Sequence, residues 1–156
     1  MNWYEVIKYL LFTVFLTIAS YTDIRFRRIS NMLMLAMFLS GIIVMLLSRD
    51  IYIYILGFVG AALAAVLFGI MYFTSKGGLG AGDVKLAICM GIFVGIYDFI
   101  NIMIYSLIYT VIAGIVLAVI KRKSGNSKEK TRLPFAPFIL LGNITNLAFM
   151  IFYLGG

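Results

Sequence analysis

Six long apolar runs, residues 4–22, 31–47, 51–74, 84–96, 99–120 and 138–154, fill most of this chain, and only short polar breaks separate them. A helix of about 20 apolar residues crosses a hydrocarbon core about 30 Å thick. The chain is 156 residues long, 63% hydrophobic and 12% charged. Soluble domains run at about 45–50% and about 25%, and a chain of this size has too little interior to hide the excess from water. A bilayer is therefore its natural solvent. The expected fold is all-α: a polytopic membrane protein with a bundle of about six transmembrane helices. Residues 1–156 are expected to form a single membrane-embedded domain without a soluble one.

The fourth run sets a constraint of its own. At 1.5 Å per residue, 84–96 is only about 20 Å long, whereas 84–120 as one helix would be about 55 Å. A break is needed, and Tyr97-Asp98 or Asn101 is the expected place. A short fourth span would also start Asp83 below the membrane surface, in a cavity within the protein, because lipid cannot satisfy a loop backbone.

Lysine and arginine predict the orientation. Of the 13 basic residues, 11 lie in the odd-numbered loops, as Arg25, Arg27 and Arg28, then Lys76 and Lys85, then the linker 121–132; Lys8 and Arg49 are the exceptions. The positive-inside rule makes those loops cytoplasmic and puts both termini on the other side. This asymmetry explains the net charge of +7 better than nucleic-acid binding does, since no basic face with interleaved aromatics is present.

Other classes are excluded more directly. The chain has no histidine, so it holds no Ser-His triad and no histidine-ligated metal. Cys89 is the single cysteine and can form neither an intramolecular disulfide nor a CxxC site. No metal and no cofactor are expected. The first residues, Met1-Asn2-Trp3-Tyr4-Glu5, lack a basic leader segment, so the first apolar run is expected to be a retained span.

Two of the six acidic residues stand out. Asp83 lies in Gly80-Ala81-Gly82-Asp83-Val84-Lys85, at the mouth of an apolar helix, and Asp23 ends the first one in Tyr21-Thr22-Asp23-Ile24-Arg25. An even number of crossings separates them, which puts both on one membrane edge. Each has an ordinary reading. Asp83 could cap a helix N-terminus, and Asp23 could be a solvated loop residue neutralised by Arg25 or Arg27. Against the first, Gly77, Gly78, Gly80 and Gly82 crowd one short loop, which suits close approach by another chain. An ionisable residue at the membrane edge is itself a functional candidate. Two neighbouring carboxylates cannot both ionise cheaply and so share a proton. One can then take a proton from water while the other donates to a carbonyl oxygen, which is metal-free acid–base hydrolysis.

The surrounding residues have assignable roles. Lys85 either snorkels to headgroups or orients substrate and tunes Asp83. Arg25 serves topology first and substrate contact second. Ser30-Asn31 reads as the start of the second helix, with Ser30 its cap. Gly57/Gly60 and Gly91/Gly95 read as helix-packing faces. Asp50 and Asp98 read as caps or loop charges, and Glu129 belongs to the polar linker.

These segments, taken together, resemble a known family. Asp23-Ile24-Arg25-Phe26-Arg27-Arg28-Ile29-Ser30-Asn31 resembles the first active-site segment of the type IV prepilin peptidases. Gly78-Leu79-Gly80-Ala81-Gly82-Asp83-Val84-Lys85-Leu86 is similar to their second, the GxGD signature shared with presenilin-type intramembrane proteases. Leu133-Pro134-Phe135-Ala136-Pro137-Phe138, followed by Gly142, is similar to the segment opening their last helix. The resemblance implies a membrane aspartyl endopeptidase that removes the basic leader of prepilins or pseudopilins, substrates with an N-terminal hydrophobic helix, at the cytoplasmic membrane face. It implies Asp23 and Asp83 as catalytic residues, supported by Gly80, Gly82, Lys85, Arg25 and Asn31. The family's usual proline before the asparagine of the first segment is Ser30 here. Longer members also carry paired cysteines and methylate the new terminus; this chain opens at its first span and has only Cys89, so it resembles the short peptidase-only members and methyl transfer is not expected. The rival reading is a small proton-coupled transporter or channel using the same carboxylates, but Thr13, Thr17, Ser106 and Thr110 are too scattered to draw a pathway.

Overall fold

A computed structural model describes residues 3–75, 79–123 and 134–154. Lys76, Gly77, Gly78, most of the linker with Glu129, and Leu133 lie outside the described residues. Five helices follow one another: α1 (Trp3–Phe26), α2 (Asn31–Leu47), α3 (Ile51–Thr74), α4 (Ala81–Lys123) and α5 (Ala136–Leu154). Among the described residues there is no strand. Helices α1, α3, α4 and α5 are long and apolar enough to cross a membrane, and α2, with 17 residues, is shorter. The protein is an all-α, multi-pass membrane protein.

The expected six spans become five helices because the fourth and fifth runs join in α4. The helix is nevertheless broken, at Gly95 and not at Tyr97-Asp98 or Asn101. Gly95 has φ 81° and ψ 174°, a region of backbone space essentially reserved for glycine. The polar residues drew the expected break toward Asp98, yet the backbone bends where a missing Cβ permits it. The N-terminal arm of α4, residues 81–94, and the C-terminal arm, residues 96–123, are thus separate helical segments.

Helix α4 is the centre of the bundle and packs most extensively on α3, then on α5 and α2. The closest approach is backbone to backbone. A Cβ built at Gly91 would lie 2.5 Å from the main chain of Gly60 and Ala61, and one at Gly60 would lie 2.8 Å from the Gly91 carbonyl oxygen. Lipid tails are as apolar as leucine, so dispersion across such small-residue seams holds membrane helices together. Gly142 seats α5 against Ser106 and Ile102 of α4 in the same way. Around these seams lies a core of Phe12 and Leu16 from α1, Met37 from α2, Leu86, Met90 and Phe93 from the N-terminal arm, and Ile139 from α5. Phe12 and Phe93 bring their ring centroids within 5.5 Å.

Polar side chains tie the bundle at the end remote from Asp83. Asp98 is neither a cap nor a loop charge. It lies inside α4 and accepts hydrogen bonds from the Tyr9 hydroxyl of α1 and, at 3.3 Å, from the Asn146 amide of α5. Those bonds draw the C-terminal arm onto two helices just past the Gly95 break. Midway along, the Asn143 amide donates to the Thr13 hydroxyl at 2.9 Å. Thr17, Ser106 and Thr110 bond carbonyls of their own helices. Asp50 does cap α3, accepting the Tyr52 N–H at 2.9 Å.

Candidate active site

Helix α1 continues past Asp23 to Phe26 and ends where Arg27 takes a left-handed conformation with φ 51°. Asp23 therefore sits in the last helical turn, not in a solvated loop. It is 8% exposed, and its Oδ2 accepts the Ala136 N–H at 3.1 Å. Ala136 opens α5, and a helix N-terminus carries N–H groups with no partner in their own helix. The positive end of the α5 dipole thus offsets the unfavourable position of Asp23 at the end of α1. Arg25 does not neutralise the carboxylate; it is exposed and donates to the Tyr21 hydroxyl at 2.6 Å.

Asp83 occupies the first turn of α4. Its Oδ2 accepts the Gly80 N–H at 3.1 Å, and its own N–H donates to the Gly80 carbonyl at the same distance. This is the acidic half of a capping box, in which a first-turn side chain reaches back to the residue before the helix. Asp83 is thus not the N-cap itself; it lies within the first turn, and one of its oxygens reaches back to the Gly80 amide. The Asp23 and Asp83 carboxyl groups lie close enough to act on one another electrostatically. The two edge acids thus stand at the same end of the bundle, each bonded to one backbone amide among the described residues.

The loop between α1 and α2 completes the enclosure. Ile29 lies against Gly82, and a Cβ built at Gly82 would meet it at 3.6 Å, ordinary contact distance. Asn31 begins α2, and its Oδ1 accepts from Lys85 Nζ at 2.8 Å. Lys85 thereby ties the start of α4 to the start of α2. Ser30 stands at the cap position of α2, but its hydroxyl makes no capping bond, which corrects the expectation that it would. Two interior polar atoms, Ser20 Oγ one turn before Asp23 and Asn143 Oδ1, are buried without a hydrogen-bond partner among the described residues. No group of three or more His, Cys, Asp or Glu side chains that could hold a metal ion occurs among the described residues.

The glycines of the loop differ in what they allow. A Cβ at Gly80 would lie 3.1 Å from Asp83 Oδ2, tight enough to displace the carboxylate. Gly80→Ala is expected to lower any reaction at this site roughly tenfold or more, since small misplacements of a reacting group carry large rate penalties. Gly82→Ala, with room beside Ile29, is expected to be mild. Steady-state rates of the two variants in membranes check the contrast, and equal effects would refute it.

Two features of the site escaped sequence reading, the Ala136 amide on Asp23 and the Lys85–Asn31 bond. Pro137 after Ala136 signals a helix start, but no local pattern says which distant carboxylate that start will meet.

Comparison with known proteins decides the family. The model of the type IV leader peptidase family matches residues 10–119. This chain belongs to that family. The match contains Asp23, Asp83 and most of the two helices that carry them. Prepilin leader peptidase/N-methyltransferase of Bacillus subtilis (strain 168) is similar, with 26% identity over 140 residues. The similarity covers 90% of this chain and 54% of the relative, so the chain spans about half the length of that protein. No solved structure matches.

Proposed function

We propose that this member of the type IV leader peptidase family is an aspartic endopeptidase that cuts the leader from type IV prepilin-like proteins. The observation that carries the reading is the placement of Asp23 and Asp83 at one edge of the bundle, beside the N-termini of α5 and α4. Each is bonded to one amide, and each is within electrostatic reach of the other. A paired carboxylate and carboxylic acid are suited to hydrolysis without a covalent intermediate. The ionised partner takes a proton from water as the water oxygen attacks the scissile carbonyl carbon. The protonated partner gives its proton to the carbonyl oxygen. As the tetrahedral species collapses, one of its hydroxyls returns a proton to the newly ionised carboxylate, the C–N bond breaks, the amine leaves with the proton gained from water, and the pair again holds one proton between its two carboxyls. The Gly80 and Ala136 amides hold the two carboxylates in place through this exchange. The proposal concerns the peptidase reaction alone.

The distribution of Lys and Arg supports an active site facing the cytoplasm, in the cytoplasmic membrane, with both termini on the other side. A reporter fused after Gly156 is expected to score as non-cytoplasmic, and a cytoplasmic signal would reverse the orientation. Lys85→Ala is expected to slow cleavage by no more than about tenfold, because an exposed polar tie contributes modestly; an unchanged rate would reduce Lys85 to a lipid-facing anchor. The reading as a whole is tested by co-expression with a type IV prepilin, mass measurement of the product and sequencing of its new N-terminus. Intact substrate under conditions where the chain is folded in the membrane would refute it.

A further inference from the structure

The N-terminal arm of α4 lies tight on α3 at Gly60 and Gly91, but the C-terminal arm turns away at Gly95. The gap between α3 and that arm is an apolar groove of about 580 Å³. Phe68 and Met71 of α3 form one wall, Met103 and Leu107 of α4 the other, and Leu79 and Phe135 line it as well. Thr110 is the polar residue of the lining, and its hydroxyl is already bonded to the Ser106 carbonyl. The α4 wall runs from Phe99 to Val111, about 18 Å or a little over three helical turns. Met71 and Leu107 are more than half exposed and face lipid unless something covers them. Phe68 and Phe135 meet across the back of the groove with ring centroids 5.7 Å apart.

We infer that this groove is the lateral entrance of the peptidase and receives one helical face of the substrate's apolar segment directly from the bilayer. The inference rests on the function proposed above and names how that site takes its substrate. Its support is continuity. Leu79 immediately precedes Gly80, whose amide holds Asp83, and Phe135 immediately precedes Ala136, whose amide holds Asp23. A chain that follows the groove to Leu79 and Phe135 arrives beside the two amides that hold the carboxylates. The lining also dictates the form of the occupant. An extended strand would leave its backbone amides unpaired in so apolar a channel, whereas a helix satisfies its own. The occupant therefore lies in the groove as a helix and loses helical structure only at the mouth, where a peptide bond must be open to water to be cut.

The experiment compares two substrates with the full-length protein in vesicles: a prepilin with its apolar segment, and a short leader peptide truncated before that segment. Leu107→Trp and Ile104→Trp narrow the groove from its lipid side, far in sequence from either aspartate; Leu10→Trp, on a smaller apolar hollow of α1 that holds none of the site residues, is the control. The groove variants are expected to lower kcat/KM for the anchored prepilin by about tenfold or more and to leave cleavage of the short peptide unchanged. The control is expected to leave both unchanged. In a Cys89→Ala background, Leu107→Cys is expected to cross-link to a single cysteine in the prepilin's apolar segment. Equal loss on both substrates, no loss on either, an effect of the control equal to that of the groove variants, or cross-linking only to a second copy of this chain or to nothing would overturn the inference. If the wild-type protein cuts neither substrate, the peptidase reading itself falls and takes the occupant with it. If the wild type cuts both and the variants behave like it, the groove alone is refuted.

Discussion

Asp23→Asn and Asp83→Asn are each expected to abolish leader cleavage, with losses of at least about a hundredfold, the scale of acid–base assistance by one positioned group. The choice of asparagine matters. Its side-chain oxygen can still accept the Ala136 amide in the first variant and the Gly80 amide in the second, so the bonds observed at 3.1 Å are kept. What is lost is the ability to take or give the shared proton. Asp83→Ala is a poorer probe, because it also removes the acceptor of the Gly80 amide and confounds folding with chemistry. The check is cleavage of a membrane-anchored prepilin followed over time, with each variant shown to be inserted and thermally stable. Substantial processing by either asparagine variant would remove that residue from the mechanism.

The largest expected effect on stability lies elsewhere, at the seam of α3 and α4. Gly91→Ala would place a methyl group 2.5 Å from the backbone of Gly60 and Ala61. No rotamer change can relieve a clash with main chain, so the helices must separate along their most extensive interface. The expected cost is about 1–3 kcal/mol or more, seen as a lowered midpoint of thermal unfolding in detergent. Gly69→Ala and Gly114→Ala are the matched controls, since a Cβ at either position meets nothing within 4 Å. They are expected to stay within about 0.5 kcal/mol of the parent. Equal destabilisation at all three sites would show a general intolerance of added methyl groups, not a backbone seam.

The two predictions fail in different ways, which keeps the site and the scaffold separable. A Gly91 variant that unfolds loses cleavage with its structure, whereas the asparagine variants are expected to lose cleavage with structure intact. Gly80→Ala lies between them: it leaves the seam untouched and acts on the carboxylate.

Much of this architecture can be read from local chemistry. Unbroken apolar runs of this length are helices in hydrocarbon, because a helix satisfies its backbone within one segment and barrel strands are shorter and alternate in polarity, and α2 and α3 begin and end at the expected residues. The parity of crossings was enough to suggest that Asp23 and Asp83 share an edge. Gly57, Gly60 and Gly91 were legible as packing positions, since a missing side chain on an apolar helix has few other uses. Three matters were settled by packing alone. The break in α4 falls at Gly95, because hydropathy senses where polar residues occur, not where the path of the chain demands a positive φ. Asp98 looked like a surface charge because its partners, Tyr9 and Asn146, are 89 and 48 residues away. Asp23 looked solvated because the amide that holds it belongs to Ala136, 113 residues further on. Turn chemistry, helix length and membrane topology depend on neighbours in the chain, and so they survive translation into residue patterns. The partner of a buried polar atom depends on which helices meet, and that is known only once the bundle has closed.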